Sequence, residues 1–169
     1  EYRTSKKIIT ILEKIGLEVE SGYYNTGVAG IIRGAKPGKT IGLRFDMDAL
    51  EGEEKTGLSF ASENEGVMHS CGHDGHIAIG LGVARTLIEF KDQIKGNVKL
   101  IFQPAEEDAQ NGGGAQYMIE DGILKNPDVS AMLGLHIWPD LECGTLGTKA
   151  VPIMASSDPF SIDIIGKGA

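Results

Sequence analysis

Aliphatic runs of strand length alternate along this chain with segments whose apolar residues recur at helical spacing. Such alternation admits few architectures. Ile8, Ile9, Leu12 and Ile15 predict a helix over residues 4–15, with Gly16 placed to end it. Strands are expected over residues 17–24, 27–33 and 40–46, the last two joined by a turn over residues 34–38. Residues 47–70, rich in Glu, Gly and Ser, read as loop. The helical period returns over residues 76–90, where Ile77, Leu81, Ala84 and Ile88 share a face. A strand at 97–102 follows, then a helix at 115–121 reached through Gly112-Gly113-Gly114. Residues 130–138 are an apolar run of buried-strand length, 146–154 a further strand, and 160–165 an alternating, half-buried one. The expected fold class is therefore α/β, layered around a mixed sheet. Functional groups in open α/β sheets gather outside the carboxyl ends of strands. Asp46 and Asp48 follow one predicted strand, Glu106 and Glu107 another, and His136 lies near the end of a third. Separate strand ends can thus converge on one crevice.

Size and charge narrow the function. The 169 residues suit one domain with a real core. A net charge of −8 with no basic run argues against nucleic-acid binding, and sparse aromatic residues offer no stacking platform for bases. No apolar run approaches the ~20 residues that span a bilayer, so no membrane partner is expected. No signal peptide opens the chain, and Glu1 suggests a trimmed start. Cys71 and Cys143 do not make a disulfide framework, which points to a reducing, cytoplasmic setting.

The stretch VMHSCGHDGH, residues 67–76, holds three of the four histidines and one of the two cysteines. Cys71 and His73 are thiolate and imidazole donors separated by one glycine, a pairing that suits zinc and its neighbours. Cys-x-His alone is a weak signal, and a loop cysteine beside a surface histidine is the plainer alternative. In the adjacent pair Glu106 and Glu107, one carboxylate can bind metal while the other serves as general base. Taken alone, with Asp108, they read more simply as a solvated acidic loop. His136, inside the apolar run, reads alone as a satisfied core histidine, although a neutral imidazole is also the form that binds metal. Asp46 and Asp48, two apart on an extended chain, face the same side. One can reach a metal or orient a ligand histidine from behind; turn capping is an even alternative. Asp74 is placed to cap the following helix, and His69 and His76 to support the cluster. Cys143 has no neighbouring donor and reads as structural. The triple glycine lacks the Gly-Lys-Ser/Thr of a phosphate loop and reads as a tight lead into a helix.

Together, LRFDMDAL (43–50), GVMHSCGHDGH (66–76), FQPAEE (102–107), GGGA (112–115) and GLH (134–136) resemble the M20 metallopeptidase family. The match is to its amidohydrolase branch of N-acyl-amino-acid, hippurate and auxin-conjugate hydrolases, and the order and spacing of five motifs carry it. The resemblance implies a zinc-peptidase-like catalytic domain with two divalent ions, Zn, Mn, Co or Ni. It implies Cys71, His73, Glu107 and His136 as metal ligands, Glu106 as general base toward a metal-activated water, and Asp48 as a catalytic aspartate. The implied reaction is hydrolysis of the amide bond of a small N-acyl amino acid, releasing a carboxylic acid and a free amino acid. Glu51 stands where the family usually has proline. The closing residues resemble the lead into the family's second domain, a lid that also makes dimers. Residues 1–165 are accordingly expected to be the N-terminal part of the catalytic domain, and 166–169 the start of the connection to the lid. The lid would bring a homodimer interface and a further histidine ligand, and this stretch alone would be inactive. The alternatives are a metal-binding module without catalysis and an M20 dipeptidase or carboxypeptidase.

Overall fold

Spacing of four puts Ile8 and Leu12 on one side of the first helix, α1 (Tyr2–Lys14), and both are fully buried. Gly16, at φ +87°, lets the chain leave the helix: its N–H donates to Glu13 O and that of Leu17 to Leu12 O. The structure, a computed structural model, describes residues 1–156, 158 and 160–167. It falls into two units, Glu1–Ile137 and a second beginning at Trp138.

The first unit is built on a five-stranded sheet in the order β1-β2-β6-β3-β7. β1 (Glu18–Tyr23), β2 (Gly27–Arg33) and β6 (Lys95–Gln103) pair antiparallel in turn. β3 (Lys36–Asp46) runs parallel to β6 on one side and to β7 (Val129–Gly134) on the other. The carboxyl ends of β6, β3 and β7 therefore lie along one edge of the sheet, and the candidate residues follow those ends. A two-residue pair, β4 (Leu50–Glu51) and β5 (Val67–Met68), ties the ends of the long loop together.

Period-two alternation gives each sheet face its own core. Val28, Ile32, Leu100 and Phe102 pack with Phe45, α1 and α2 (His73–Glu89). Ala29 and Ile101 pack with Met118 of α3 (Gly113–Glu120) and with Ile123. Gly80 of α2 is seated directly on the sheet: a Cβ there would lie 2.8 Å from Phe102 Cε1 and 2.9 Å from the Phe45 ring. The fully buried Lys99 is paired, its Nζ lying 3.0 Å from Glu20 Oε2 and donating to Lys125 O at 2.9 Å.

Several sequence expectations are corrected. The turn predicted over 34–38 is confined to Gly34 and Ala35, because Lys36 already pairs with Lys95. The register then shifts before Thr40, where Gly38 approaches the backbone of Gly96 closely enough that a Cβ would clash. The strand expected over 130–138 stops at Gly134 and is exposed rather than buried. Its apolar composition signals a strand, but it is the edge of the sheet among the described residues. The strands expected over 146–154 and 160–165 do not form. Alternation becomes a strand only where another strand pairs with it, and none does so here; Ile162 and Ile164 are exposed rather than half-buried. Of the connection expected over 166–169, residues 168 and 169 lie outside the described residues. Among the described residues no helix is long and apolar enough to cross a membrane.

Candidate metal centre

The helix predicted from residue 76 begins at His73, with Gly72 before it at φ +81°. His73-Asp74-Gly75 carries no apolar periodicity, so the helix's first turn is invisible to it. That turn places two imidazoles together. His73 and His76, at i and i+3, share a face; both are fully buried, with ring centroids 5.3 Å apart. Asp74 is not the helix cap expected of it. It lies within the first turn, its Oδ1 accepting the Gly75 N–H at 2.9 Å.

Asp48 holds the first donor. His73 Nδ1 lies 2.9 Å from Asp48 Oδ1 and 3.0 Å from Asp48 O. Both are acceptors, so Nδ1 carries the proton and Nε2 the lone pair. Asp48 Oδ2 accepts the Glu107 N–H at 2.9 Å, so one carboxylate positions both the imidazole and the acidic loop. The loop is fixed from its other side by the glycine run, since the Gly114 N–H donates to Ala105 O at 2.8 Å and that of Gly113 to Asp108 O at 2.9 Å. The predicted tight lead into a helix is thus present. Ala105 itself sits at φ +50°, a conformation costing an L residue roughly 1–2 kcal/mol.

His73 Nε2 is buried with no hydrogen-bond partner. Around it lie Asp46 Oδ2 at 3.6 Å, Glu106 Oε2 at 3.9 Å and Glu107 Oε1 at 3.9 Å. A buried lone pair turned toward carboxylate oxygens is repulsive unless a cation lies between them. Tetrahedral metal–ligand bonds of about 2.0–2.2 Å leave donor atoms about 3.3–3.6 Å apart, and the separations here, 3.6–3.9 Å, lie at or a few tenths of an ångström beyond that. Zinc-type chemistry fits this donor set.

The second group joins Cys71, His73 and His136, whose donor atoms lie within 4.8 Å of one another. Cys71 Sγ is 3.4 Å from His136 Nε2, close to the roughly 3.5 Å expected of sulfur and nitrogen sharing a tetrahedral ion. Burial, then the neighbouring Glu107, push the Cys71 thiol up to about 11; a bound cation reverses that bias, because a coordinating thiol is deprotonated. His136 departs from its expected setting. It lies past the end of β7 and is exposed, not a buried core histidine. Burial also raises Glu106 above the ordinary carboxylate range, with Arg44 opposing it and Glu107 and Asp46 adding to it.

Three residues take parts that motif reading left open. Asp46 Oδ1 accepts His76 Nδ1–H in a short contact. Arg44 reaches Asp46 Oδ2 through Nη1 at 2.5 Å and Gln103 Oε1 through Nε at 2.9 Å, with Glu106 Oε1 3.9 Å from its Nη2. His76 completes a third potential cluster with Asp46 and His73, yet its Nε2 is occupied, accepting the Ile137 N–H at 2.9 Å. Arg44 and Asp46 sit two apart on β3 and hence on one side of it, a spacing that could have flagged the pair. His69 lies elsewhere, lining a cavity of about 610 Å³ with Met47, Phe60 and Asp74.

A mixed sheet with a thiol, imidazoles and carboxylates converging at its carboxyl edge defines a candidate metal centre. Residues 42–168 match peptidase family M20/M25/M40, and the chain belongs to that family. It is 51% identical over 169 residues to thermostable carboxypeptidase 1 of Saccharolobus solfataricus, covering 99% of this chain and 42% of that protein. It is 47% identical to N-acetyl-L-cysteine deacetylase of Bacillus subtilis, covering 100% of this chain and 39% of that one. The crystal structure of the Bacillus subtilis YXEP protein, described as a dinuclear metal binding peptidase from the M20 family, superposes with a TM-score of 0.82 at 44% identity, over 88% of this chain and 40% of that chain. The chain thus spans about two fifths of the length of the curated relatives it matches.

Proposed function

We propose that the full-length protein carrying this chain is a metal-dependent hydrolase of small N-acyl amino acids, releasing a carboxylic acid and a free amino acid. The observation that carries the reading is His73 Nε2, buried without a partner and facing the carboxylates of Asp46, Glu106 and Glu107. Cys71, His73, Glu107 and His136 would hold two divalent ions, of Zn, Mn, Co or Ni. Bound there, such ions supply Lewis acidity and lower the pKa of water. Asp48 orients His73 and the Glu107 backbone, a positioning part rather than direct contact with substrate. Glu106 is the general base: its carboxylate is half-buried, burial raises its pKa with Arg44 opposing the rise, and Arg44 steadies it. It takes a proton from the attacking water and delivers it to the leaving amine. In this reading, residues 1–165 are the first part of the catalytic domain. A lid with a dimer surface and a further ligand belong to the rest of a cytoplasmic enzyme.

The relative named as a carboxypeptidase favours a second reading, hydrolysis of peptides from their carboxyl end. N-acyl amino acids assayed beside dipeptides separate the two. The test of the base is Glu106→Gln in the full-length protein. Metal content is expected to stay and turnover to fall by about 10²–10⁴-fold; unchanged turnover would contradict the assignment.

A further inference from the structure

His76 is fully buried, and both of its ring nitrogens are engaged. A backbone N–H can only donate, so the contact from Ile137 N to His76 Nε2 at 2.9 Å makes Nε2 the acceptor. The proton then sits on Nδ1 and is given to Asp46 Oδ1. Asp46 is itself held by Arg44 through its other oxygen. Ile137 is gripped a second time, because His136 Nδ1 donates to Ile137 O at 2.6 Å. That bond fixes the tautomer of His136 and turns its Nε2 lone pair toward Cys71 Sγ, 3.4 Å away. The rings of His76 and His136 meet edge to face at 79°, with centroids 4.7 Å apart. Ile137 also packs its side chain against the start of α2, where a Cβ on Gly75 would come within 2.5 Å of Ile137 Cδ1.

We infer that Asp46 and His76 form a positioning relay that acts through the Ile137 backbone to aim His136 at the ion it would share with Cys71. The relay explains why a histidine that is no ligand is buried beside the site, and why an exposed residue past the end of an edge strand can serve as a ligand at all. It rests on the metal-site reading above and adds to it the device that seats the ligand with the least support from regular structure. His76 cannot bind metal in this arrangement without releasing the Ile137 N–H.

The test is Co²⁺ affinity of the full chain, followed through its thiolate-to-cobalt absorption. His76→Asn keeps a donor near Asp46 but cannot reach Ile137, and should weaken binding about 10–100-fold, the usual cost of losing such support. His76→Gln, which can present an oxygen where Nε2 stood, should recover part of that loss. In a His136→Ala background His76→Asn should cost nothing further, because the relay acts only through His136. Leu12→Ala, a core substitution remote from the site, controls for lowered stability and should leave Co²⁺ affinity unchanged. Full affinity in His76→Asn, or an equal penalty with and without His136, overturns the relay. If the unsubstituted chain shows no thiolate–cobalt band, the metal-site reading fails and the relay with it; if the band is present and depends on Cys71 but not on His76, the relay alone fails.

Discussion

The two ends of the metal centre are held by different means. His73 stands on the first turn of α2, fully buried, its Nδ1 bound by Asp48 from the end of β3. Its helix packs on the sheet, and Asp48 follows closely on the end of β3. Cys71 and His136 come from loops, one before α2 and one after β7, and His136 is exposed. At this end the Ile137 backbone is held on both sides, its N–H donating to His76 Nε2 and its O accepting from His136 Nδ1. The contrast teaches that a donor on a packed helix is preorganised by the fold, whereas a donor beyond an edge strand needs a dedicated polar support.

The strongest way to break the contrast is His73→Ala. That imidazole is common to all three donor groups, so elemental analysis is expected to find no retained ion; a retained Cys71-bound ion would show the ends to be independent. Asp48→Asn comes next. One amide cannot accept from both His73 Nδ1 and the Glu107 N–H with the geometry seen, and metal affinity measured by competition should fall about 10–100-fold. Gly80→Ala strikes the scaffold instead of the donors. Its new Cβ meets the rings of Phe45 and Phe102, and denaturant unfolding should report a loss of about 1–3 kcal/mol. An unchanged midpoint would mean α2 is seated more loosely than the buried end requires.

The smallest effect is expected far from both ends. Arg33 hydrogen-bonds Glu18 at 2.8 Å through both its Nε and Nη2, and this holds the carboxyl below its ordinary range. A depressed folded-state pKa contributes stability above the unfolded pKa and loses it as pH falls through the folded one. Both side chains are half exposed, so Glu18→Gln should cost less than about 1 kcal/mol at neutral pH and nothing once the carboxylate is protonated. Metal content should not move at either pH.

Much of this arrangement is legible in the sequence. Runs such as Asn97–Phe102 and Thr40–Asp46 signal strands of a mixed sheet; the structure pairs them in parallel, and their carboxyl ends carry Glu106, Glu107, Asp46 and Asp48 to one edge. The spacing of Cys71 and His73 flags them as candidate donors, a weak signal by itself, and the structure brings them together with His136. What escaped was set by tertiary contact. The first turn of α2 has no apolar face, because His73 and His76 point at a polar site. The exposure of β7 follows from its place at the edge, which composition does not encode. The bond from Ile137 to His76 joins residues 61 apart in the chain, beyond the reach of any local pattern.

The most direct test of the central claim is metal content by elemental analysis after dialysis, on the full-length protein and on Cys71→Ala. The account predicts about two ions per chain, as in the dinuclear relative, falling in the variant because the loop-held end loses its thiolate while the helix-held end keeps His73. Equal metal content in the two proteins, or none in either, would contradict it.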